Sequence, residues 1–207
     1  MAINLQKGQR INLEKSSGTR LQTFCVGVNW GAISTTKRSF FGRTREEVEA
    51  VDLDASCVLL NSQAQVLDVV FFNKLQSEDG GIRHSGDDRT GDVGGDDGLD
   101  NEIISVQLTR LSSEVDQVIF FLNSFEGHDF AAVPFAAIRL YEGTPQKVNE
   151  IFATYDIASD PAYRGFVSMV MGKLYRKNGE WKFNAIGDAT RDRDLRETVI
   201  TISQKYA

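Results

Sequence analysis

The stretch of this sequence best suited to chemistry is GDDRTGDVGGDDGLDNE, residues 86–102, in which carboxylates are separated by glycines. Two like charges 4 Å apart repel by about 1 kcal/mol in water and by several-fold more near a protein surface. Either a bound cation offsets this repulsion, or the segment stays open and solvated. Two interpretations follow: a metal-binding loop, or an acidic and disordered surface loop.

The ligand types favour calcium. Calcium takes about six to eight oxygen ligands, and glycines let the backbone fold so that carboxylates and carbonyls converge. Magnesium keeps more of its waters. Zinc is disfavoured because neither cysteine lies in the segment and His84 is the one imidazole near it. Residues 78–102 contain nine acids, more than one site needs, so we expect two calcium ions, although the segment lacks the EF-hand pattern.

A second pair of acids, Asp52 and Asp54, alternates in VDLDASC, which places both side chains on one side of a strand. They enlarge the ligand set if this strand end lies near the loop; otherwise they mark a solvent-facing strand edge. The same Asp-x-Asp-x-Ser pattern resembles phosphatases in which one aspartate attacks and the next is the acid/base. That chemistry needs aspartates that follow a buried parallel strand, whereas here the apolar run comes after them.

The remaining candidate reactive residues do not form a catalytic set. Cys25 and Cys57 lie in apolar runs and are expected to be small core residues with reduced thiols, as in a cytoplasmic protein. His84 is expected on the surface, with the alternatives that it is a ligand or orients a carboxylate, and His128 is expected in a turn. We therefore expect no enzyme.

The charge and composition of the chain limit the classes of partner that it is expected to bind. The chain has 207 residues and a net charge of −6, and residues 78–102 alone carry −7. Such a field repels nucleic acid and anionic lipid and attracts cations. No run approaches the roughly 20 apolar residues of a membrane-spanning helix, and the polar N-terminus is not a secretory signal. We expect one cytoplasmic domain over residues 1–207, without a membrane span.

Short apolar runs separated by polar or glycine residues predict strands along most of the chain. This pattern predicts a mainly β protein, an antiparallel two-sheet β-sandwich. Asn178-Gly179 lies between two alternating strands and predicts a hairpin. A short helix is predicted at 44–50, capped by Thr44. The C-terminal segment 193–207 has apolar residues at helical spacing, although its Val-Ile-Thr-Ile centre is equally typical of a strand. The strand candidates are 10–14, 21–30, 57–61, 66–72, 103–108, 117–125, 135–142, 148–157 and the two arms of 165–187.

A basic and aromatic insertion, KRSFFGRTR, separates two strand candidates. Phe40, Phe41, Arg43 and Arg45 in this segment form either a mobile loop or a docking surface for an acidic partner protein. The acidic loop of a second copy has suitable charge, so self-association is included in the second interpretation.

Several ordered motifs together are similar to the TerD family of bacterial tellurium-resistance and stress-response proteins. The motifs are LQKGQRINLEK, VGVNWG, VDLDASCVLL, FFNKL, HSGDDRTG, GGDDGLDNEIISVQL and AAIRLYEG, which span nearly the whole chain. The GDDRTGD…GDDGLDNE variant is nearest to the TerZ- and TerX-like members.

The resemblance implies a calcium-binding β-sandwich with no known catalytic activity, whose partners are other proteins of the same stress-response system. Where many members have an aspartate after Gly-Trp, this chain has Gly31, and Asn29 or a backbone carbonyl would replace that ligand. The alternatives are a metal-independent interaction module and a phosphohydrolase that uses Asp52 and Asp54. The metal ligands implied by the family motif are Asp52, Asp54, Asp87, Asp88, Asp92, Asp96, Asp97 and Glu102, with Asp100 as an additional candidate.

Overall fold

The structure is a computed structural model that describes residues 3–4, 8–13, 18, 20–38, 44–156 and 161–207. The strands follow the runs of apolar and β-branched residues. The helix begins after Asp194, whose Oδ1 accepts a hydrogen bond from the Glu197 amide, 2.9 Å away. The elements are β1 (Ile3–Asn4), β2 (Arg10–Asn12), β3 (Thr23–Trp30), β4 (Ile33–Arg38), β5 (Thr44–Glu49), β6 (Leu53–Leu60), β7 (Val66–Val70), β8 (Ile82–His84), β9 (Glu102–Gln107), β10 (Gln117–Ser124), β11 (Ala136–Thr144), β12 (Lys147–Asp156), β13 (Ser168–Lys177), β14 (Glu180–Thr190) and α1 (Leu195–Lys205), with single 3-10 turns at Phe130–Ala132 and Pro161–Tyr163.

Two six-stranded sheets pack face to face, as predicted for a β-sandwich. The first has the order β1-β12-β11-β3-β9-β8 and the second β2-β14-β13-β10-β6-β7. All pairings within the two sheets are antiparallel except β1 with β12. Strands β3 and β9 therefore lie in one sheet and β6 in the other, so the acidic loop before β9 and the acids at the start of β6 come from opposite sheets.

The core lies between the sheets. Alternate residues of β3, Phe24, Val26, Val28 and Trp30, belong to one apolar cluster with residues of β6 and β10. Each fully buried side chain of this size contributes about 1.5–3 kcal/mol. The intervening residues of β3 lie on the outer side of the first sheet, where Cys25 packs in a smaller cluster.

The C-terminal helix is confirmed, and α1 covers the outer face of the second sheet. Ile202 is fully buried against Val58, Ile119 and Phe121 of β6 and β10. These tertiary contacts select the helix over a strand for the Val-Ile-Thr-Ile segment. No helix in the described ranges is long and apolar enough to cross a membrane.

The hairpin at Asn178-Gly179 is also confirmed. Lys177 pairs with Glu180 across a two-residue turn, and Asn178 and Gly179 have φ of 54° and 76°. Two successive positive φ values define the type I′ turn that Asn-Gly favours.

The helix predicted at 44–50 is wrong. This segment is strand β5, which pairs with β4 as a separate two-stranded ribbon, with Thr35 opposite Glu47 and Lys37 opposite Arg45. The β-branched residues of ISTTKR form a strand beside it, and cross-strand pairing outweighs the helical preference of Arg-Glu-Glu.

Candidate metal centre

The acidic loop connects β8 to β9 and is fixed to one end of the sandwich by backbone hydrogen bonds. The Asp92 amide donates to the Trp30 carbonyl over 2.9 Å, and the Asp92 carbonyl accepts from the Ala32 amide over 3.1 Å. The Val51 amide, just before β6, donates to the Thr90 carbonyl over 3.2 Å. The loop is therefore tied to both sheets.

The Trp30 ring packs against the acidic loop at Gly91. Its ring is fully buried, and its indole Nε1 donates to the Val51 carbonyl at 2.7 Å. Gly91 lies directly on this ring with a φ of +62°, and a Cβ at this position would come within 2.6 Å of a ring carbon. Only glycine combines this backbone conformation with such a close approach.

A first group of carboxylates consists of Asp52, Asp54 and Asp87, which each place one oxygen within 4.8 Å of the others. Asp52 precedes β6, and Asp54 is the second residue of β6. The two aspartates are only 8% and 5% exposed. Asp87, from the loop, is exposed. Asp52 Oδ1 is buried and has no hydrogen-bond partner among the described residues. Three acids from two segments therefore converge, and one of them, Asp52, has a buried oxygen without a donor among the described residues.

The electrostatics of this group are unfavourable without a cation. Burial, with repulsion from Asp87 and Glu102, raises the pKa of Asp52 to about 6. Burial, with repulsion from Glu102, Asp52 and Asp87, raises the pKa of Asp54 to about 7. Both shifts mean that ionising these acids is costly in this environment.

Glu102 lies behind the first group, fully buried. Its Oε2 accepts from the Ala55 amide at 2.7 Å, and its Oε1 accepts from the Asp88 amide at 3.2 Å. It therefore joins the second sheet to the loop through hydrogen bonds, and its charge repels Asp54. The structure places Glu102 outside both three-carboxylate groups.

His84 was expected on the surface, and that prediction is wrong. The residue is 6% exposed, and its Nε2 lies 2.8 Å from the Ala55 carbonyl and 3.4 Å from Glu102 Oε2. Its Nδ1 accepts from the Gly86 amide at 3.1 Å, so the proton of the neutral ring is on Nε2. Burial lowers the pKa of His84, but the Glu102 carboxylate outweighs that effect and the net shift is upward. His84 thus orients Glu102.

A second group consists of Asp92, Asp96 and Asp97, again with one oxygen each within 4.8 Å of the others. These side chains are more exposed than Asp52 and Asp54. Asn29 lies beside them: its Nδ2 donates to Asp96 Oδ1 at 2.9 Å, and its Oδ1 is buried without a hydrogen-bond partner among the described residues. The second group, like the first, borders a buried oxygen without a donor.

Gly31 leaves no room for the aspartate ligand that the family resemblance suggested at this position. A Cβ at this position would come within 2.4 Å of the Phe135 ring, and the Gly31 amide donates to the Phe135 carbonyl at 3.0 Å. The Phe135 ring thus occupies the space that an aspartate would need, while Asn29 supplies an oxygen two residues earlier.

Asp88 shapes the loop and belongs to neither group. Its Oδ1 accepts from the amides of Thr90 and Gly91 at 2.9 and 3.1 Å, and from the Thr90 hydroxyl at 3.0 Å. Its Oδ2 accepts from Asn101 at 3.2 Å. Burial raises the pKa of Asp88, but these hydrogen bonds outweigh burial and hold its pKa below the ordinary value.

Asn101 was not among the predicted site residues, yet it joins several parts of the site. Its Oδ1 accepts from the Trp30 amide at 2.8 Å. Its Nδ2 donates to Asp88 Oδ2 at 3.2 Å and to Asp92 Oδ1 at 3.1 Å. Its position beside Glu102 in the acidic motif is the one sequence signal that marks it.

Asp100 also lies outside both groups. Its side chain is 1% exposed and accepts from Arg139 Nε of β11 at 2.6 Å. It covers Gly27 of β3, where a Cβ would come within 2.1 Å of Asp100 Oδ2. Burial raises the pKa of Asp100, and the Arg139 guanidinium partly offsets that rise. Asp100 therefore fastens the end of the loop to the outer face of the first sheet.

The structure does not offer the placement that the phosphatase interpretation needs. Asp52 and Asp54 stand at the beginning of β6, and β6 pairs antiparallel with both β10 and β7. The aspartates of that chemistry follow a parallel strand instead. Of the proposed docking residues, Arg45 is exposed on β5, and Phe40, Phe41 and Arg43 lie outside the described residues.

The fold and site define a class of two-sheet β-sandwich proteins with carboxylates gathered at one end. The TerD domain model matches residues 1–200, and the chain belongs to the TerD family. It is 37% identical over 194 residues to the tellurium resistance protein TerD of Serratia marcescens, covering 90% of each chain. It is 34% identical over 193 residues to TerZ of the same organism, covering 93% of each.

A stress-response protein and a solved structure are also similar to this chain. Stress response protein SCP2 of Bacillus subtilis (strain 168) is 31% identical over 205 residues, covering 96% of this chain and 98% of that one. The crystal structure of a homologue of telluride resistance protein (TerD), SCO6318 from Streptomyces coelicolor A3(2), matches with a TM-score of 0.63 and 19% identity over 88% of this chain and 95% of that chain. This structural match concerns the fold alone.

Proposed function

We propose that this protein is a non-catalytic calcium-binding protein of a bacterial tellurium-resistance and stress-response system. The observation that carries the proposal is the convergence of oxygens of Asp52, Asp54 and Asp87 within 4.8 Å of one another, together with a buried Asp52 Oδ1 that has no hydrogen-bond partner among the described residues. Carboxylates in such an arrangement are stabilised by a hard cation with oxygen ligands. The first group would hold one ion. Asp92, Asp96 and Asp97, with Asn29 Oδ1, would hold a second.

The surrounding residues support this function by keeping the loop in one shape. Glu102 and His84 connect the loop to β6, and Asn101 holds Asp88 and Asp92 at the end of β3. When bound, calcium supplies the positive charge that offsets repulsion among the carboxylates. Both cysteines are free and buried, which suits the reducing cytoplasm of a bacterium.

The role of the ordered loop, in this proposal, is to bind other proteins of the stress-response system. The β4–β5 ribbon is a second docking element, because Arg45 is exposed on β5. The Arg45 guanidinium has the charge to pair with an acidic partner protein. The acidic loop of a second copy has suitable charge. Charge reversal at Arg45 is expected to weaken such self-association in light scattering; unchanged association would show that the ribbon is not a docking element.

Calorimetric titration of chelator-treated protein with calcium tests the proposal. We expect two binding events for the wild type, loss of one in Asp54→Asn, and loss of the other in the double variant Asp96→Asn/Asp97→Asn. Glu114→Gln, an exposed acid outside the loop, is the matched control and is expected to keep both. Absence of calcium heat in the wild type would reject the proposal, and two intact events in both loop variants would place the ligands elsewhere.

A further inference from the structure

A cleft of about 290 Å³ lies on the outer face of the first sheet, and none of the acids of the two carboxylate groups lines it. Its floor is a cross-strand row in which Cys25 of β3 pairs with Ser105 of β9, and Ser105 pairs with Arg83 of β8. Residues directly opposite one another in a sheet have Cβ atoms about 4.5–5.5 Å apart, so these three side chains form one surface. Two turns, residues 80–81 and 143–145, form the walls.

Arg83 gives this cleft a positive charge. It is exposed between Ile82 and His84, which are buried, and it is the one charged side chain among the described residues that line the cleft. Within the described part of the chain, its guanidinium has no ion-pair partner. A guanidinium carries a fixed charge, and its planar fork matches the two oxygens of a carboxylate. The cleft is therefore suited to an anion, in a chain whose net charge is −6.

Further hydrogen-bond donors lie beside Arg83. Ser105 and Gln107 both line the cleft, and their alternation on β9 places them on the same face of the sheet. Cys25 Sγ lies 3.6 Å from Ser105 Oγ and donates to the Gly143 carbonyl at 3.7 Å. Burial raises the pKa of the Cys25 thiol, so the sulfur stays uncharged and does not repel an anion.

The rest of the lining suits a small apolar group. Three glycines and Pro145 line the walls, and the Phe24 and Val106 side chains belong to the core between the sheets, so these two residues offer backbone to the cleft. An engineered cavity of about 150 Å³ holds benzene, and the cleft, at about 290 Å³, has room for a ring and a carboxylate. One arginine balances one negative charge, whereas a phosphate monoester would keep a second charge unpaired.

We propose that this cleft binds a small carboxylate whose apolar part is about the size of one ring. The carboxylate pairs with Arg83 and accepts hydrogen bonds from Ser105 and Gln107, and the apolar part lies between the two turns. A ligand of about ten non-hydrogen atoms is expected to bind with a Kd on the order of millimolar. The site shares no residue with the candidate metal centre, so the ligand is expected to bind the metal-free protein.

NMR titration of isotope-labelled, chelator-treated protein with phenylacetate tests this proposal. We expect saturable shifts of the amide signals of Cys25, Ser105 and Thr144. Phenylacetamide has the same size without the charge and is expected to bind about threefold to tenfold more weakly, because it cannot form the charge-assisted hydrogen bonds. Arg83→Gln is expected to weaken phenylacetate binding by the same factor and to leave phenylacetamide binding unchanged.

The matched control is Arg196→Gln, an exposed arginine of α1 on the outer face of the second sheet. This variant is expected to bind phenylacetate as the wild type does, with ionic strength kept constant by sodium chloride. Absence of saturable shifts at the three amides would overturn the site. Equal affinity for phenylacetate and phenylacetamide, or unchanged phenylacetate binding in Arg83→Gln, would overturn the carboxylate assignment. Because the titration contains no calcium, each of these results leaves the proposed function standing.

Discussion

Replacing Asp54 by asparagine removes one charge from the first carboxylate group while keeping the size of the side chain. In the metal-free protein this charge is unfavourable, because Asp54 is buried and faces Glu102, Asp52 and Asp87. The folded protein therefore holds the Asp54 proton more tightly than the unfolded chain does. Stability is lost as pH rises from about 4 to about 7, and the full cost is present above pH 7.

The size of this cost follows from the pKa shift. The pKa of Asp54 rises from an ordinary value of 3.8 to about 7, and each unit corresponds to about 1.4 kcal/mol. The whole rise corresponds to somewhat more than about 4 kcal/mol; because solvent screens part of the repulsion, we expect Asp54→Asn to stabilise the metal-free protein at pH 8 by about 2–4 kcal/mol. Because a domain of this size gains about 2–4 °C in Tm per kcal/mol, the expected increase in Tm is at least about 4 °C.

Thermal unfolding in EGTA at pH 8 and at pH 5 measures this effect. At pH 5 the wild-type Asp54 is protonated in the folded state, so the advantage of the variant is expected to shrink by more than half. In calcium the advantage of the variant is expected to shrink by about 2.7 kcal/mol at a hundred times the Kd, because the wild type gains the contribution of the first group and the variant lacks it.

Asp97→Asn is the control, since Asp97 is exposed, and its effect on metal-free stability is expected within about 0.5 kcal/mol. The reasoning is refuted if Asp54→Asn is less stable than the wild type in EGTA at pH 8. It is also refuted if the difference in Tm is the same at both pH values.

Two further predictions concern proton competition and the loop backbone. Because Asp52 and Asp54 have pKa values of about 6 and about 7, calcium affinity is expected to fall about tenfold per pH unit below pH 7 and more steeply below pH 6. Titrations between pH 8 and pH 5 check this, and a flat profile would contradict it. Gly91→Ala is expected to destabilise the metal-free protein by about 1–3 kcal/mol, from positive φ and contact with Trp30. An unchanged Tm in EGTA would contradict that assignment.

Sequence patterns predicted the architecture because the relevant signals are local. Alternation identified the strands, and Asn178-Gly179 identified the type I′ hairpin. The segment 44–50 was misassigned as a helix because its partner strand is not visible in its own residues. Pairing of β4 with β5 decides its conformation.

The acids of the loop were predicted as one set of ligands, but the structure gives them different partners. Asp88 and Asp100 have the same side chain as Asp96, yet one accepts loop amides and the other pairs with Arg139. These partners are set by the way the loop folds against β9 and β11, so residue type alone does not reveal them. His84 was wrongly predicted to lie on the surface for the same reason. The Ala55 carbonyl that its Nε2 contacts belongs to the opposite sheet.

The most direct test of the account is a crystal structure grown in millimolar calcium. We expect one ion with oxygens of Asp52, Asp54 and Asp87 at about 2.3–2.6 Å, and a second ion between Asp92, Asp96 and Asp97 at similar distances. Anomalous scattering identifies the ions as calcium. Crystals in which neither group holds an ion under these conditions would contradict the central claim.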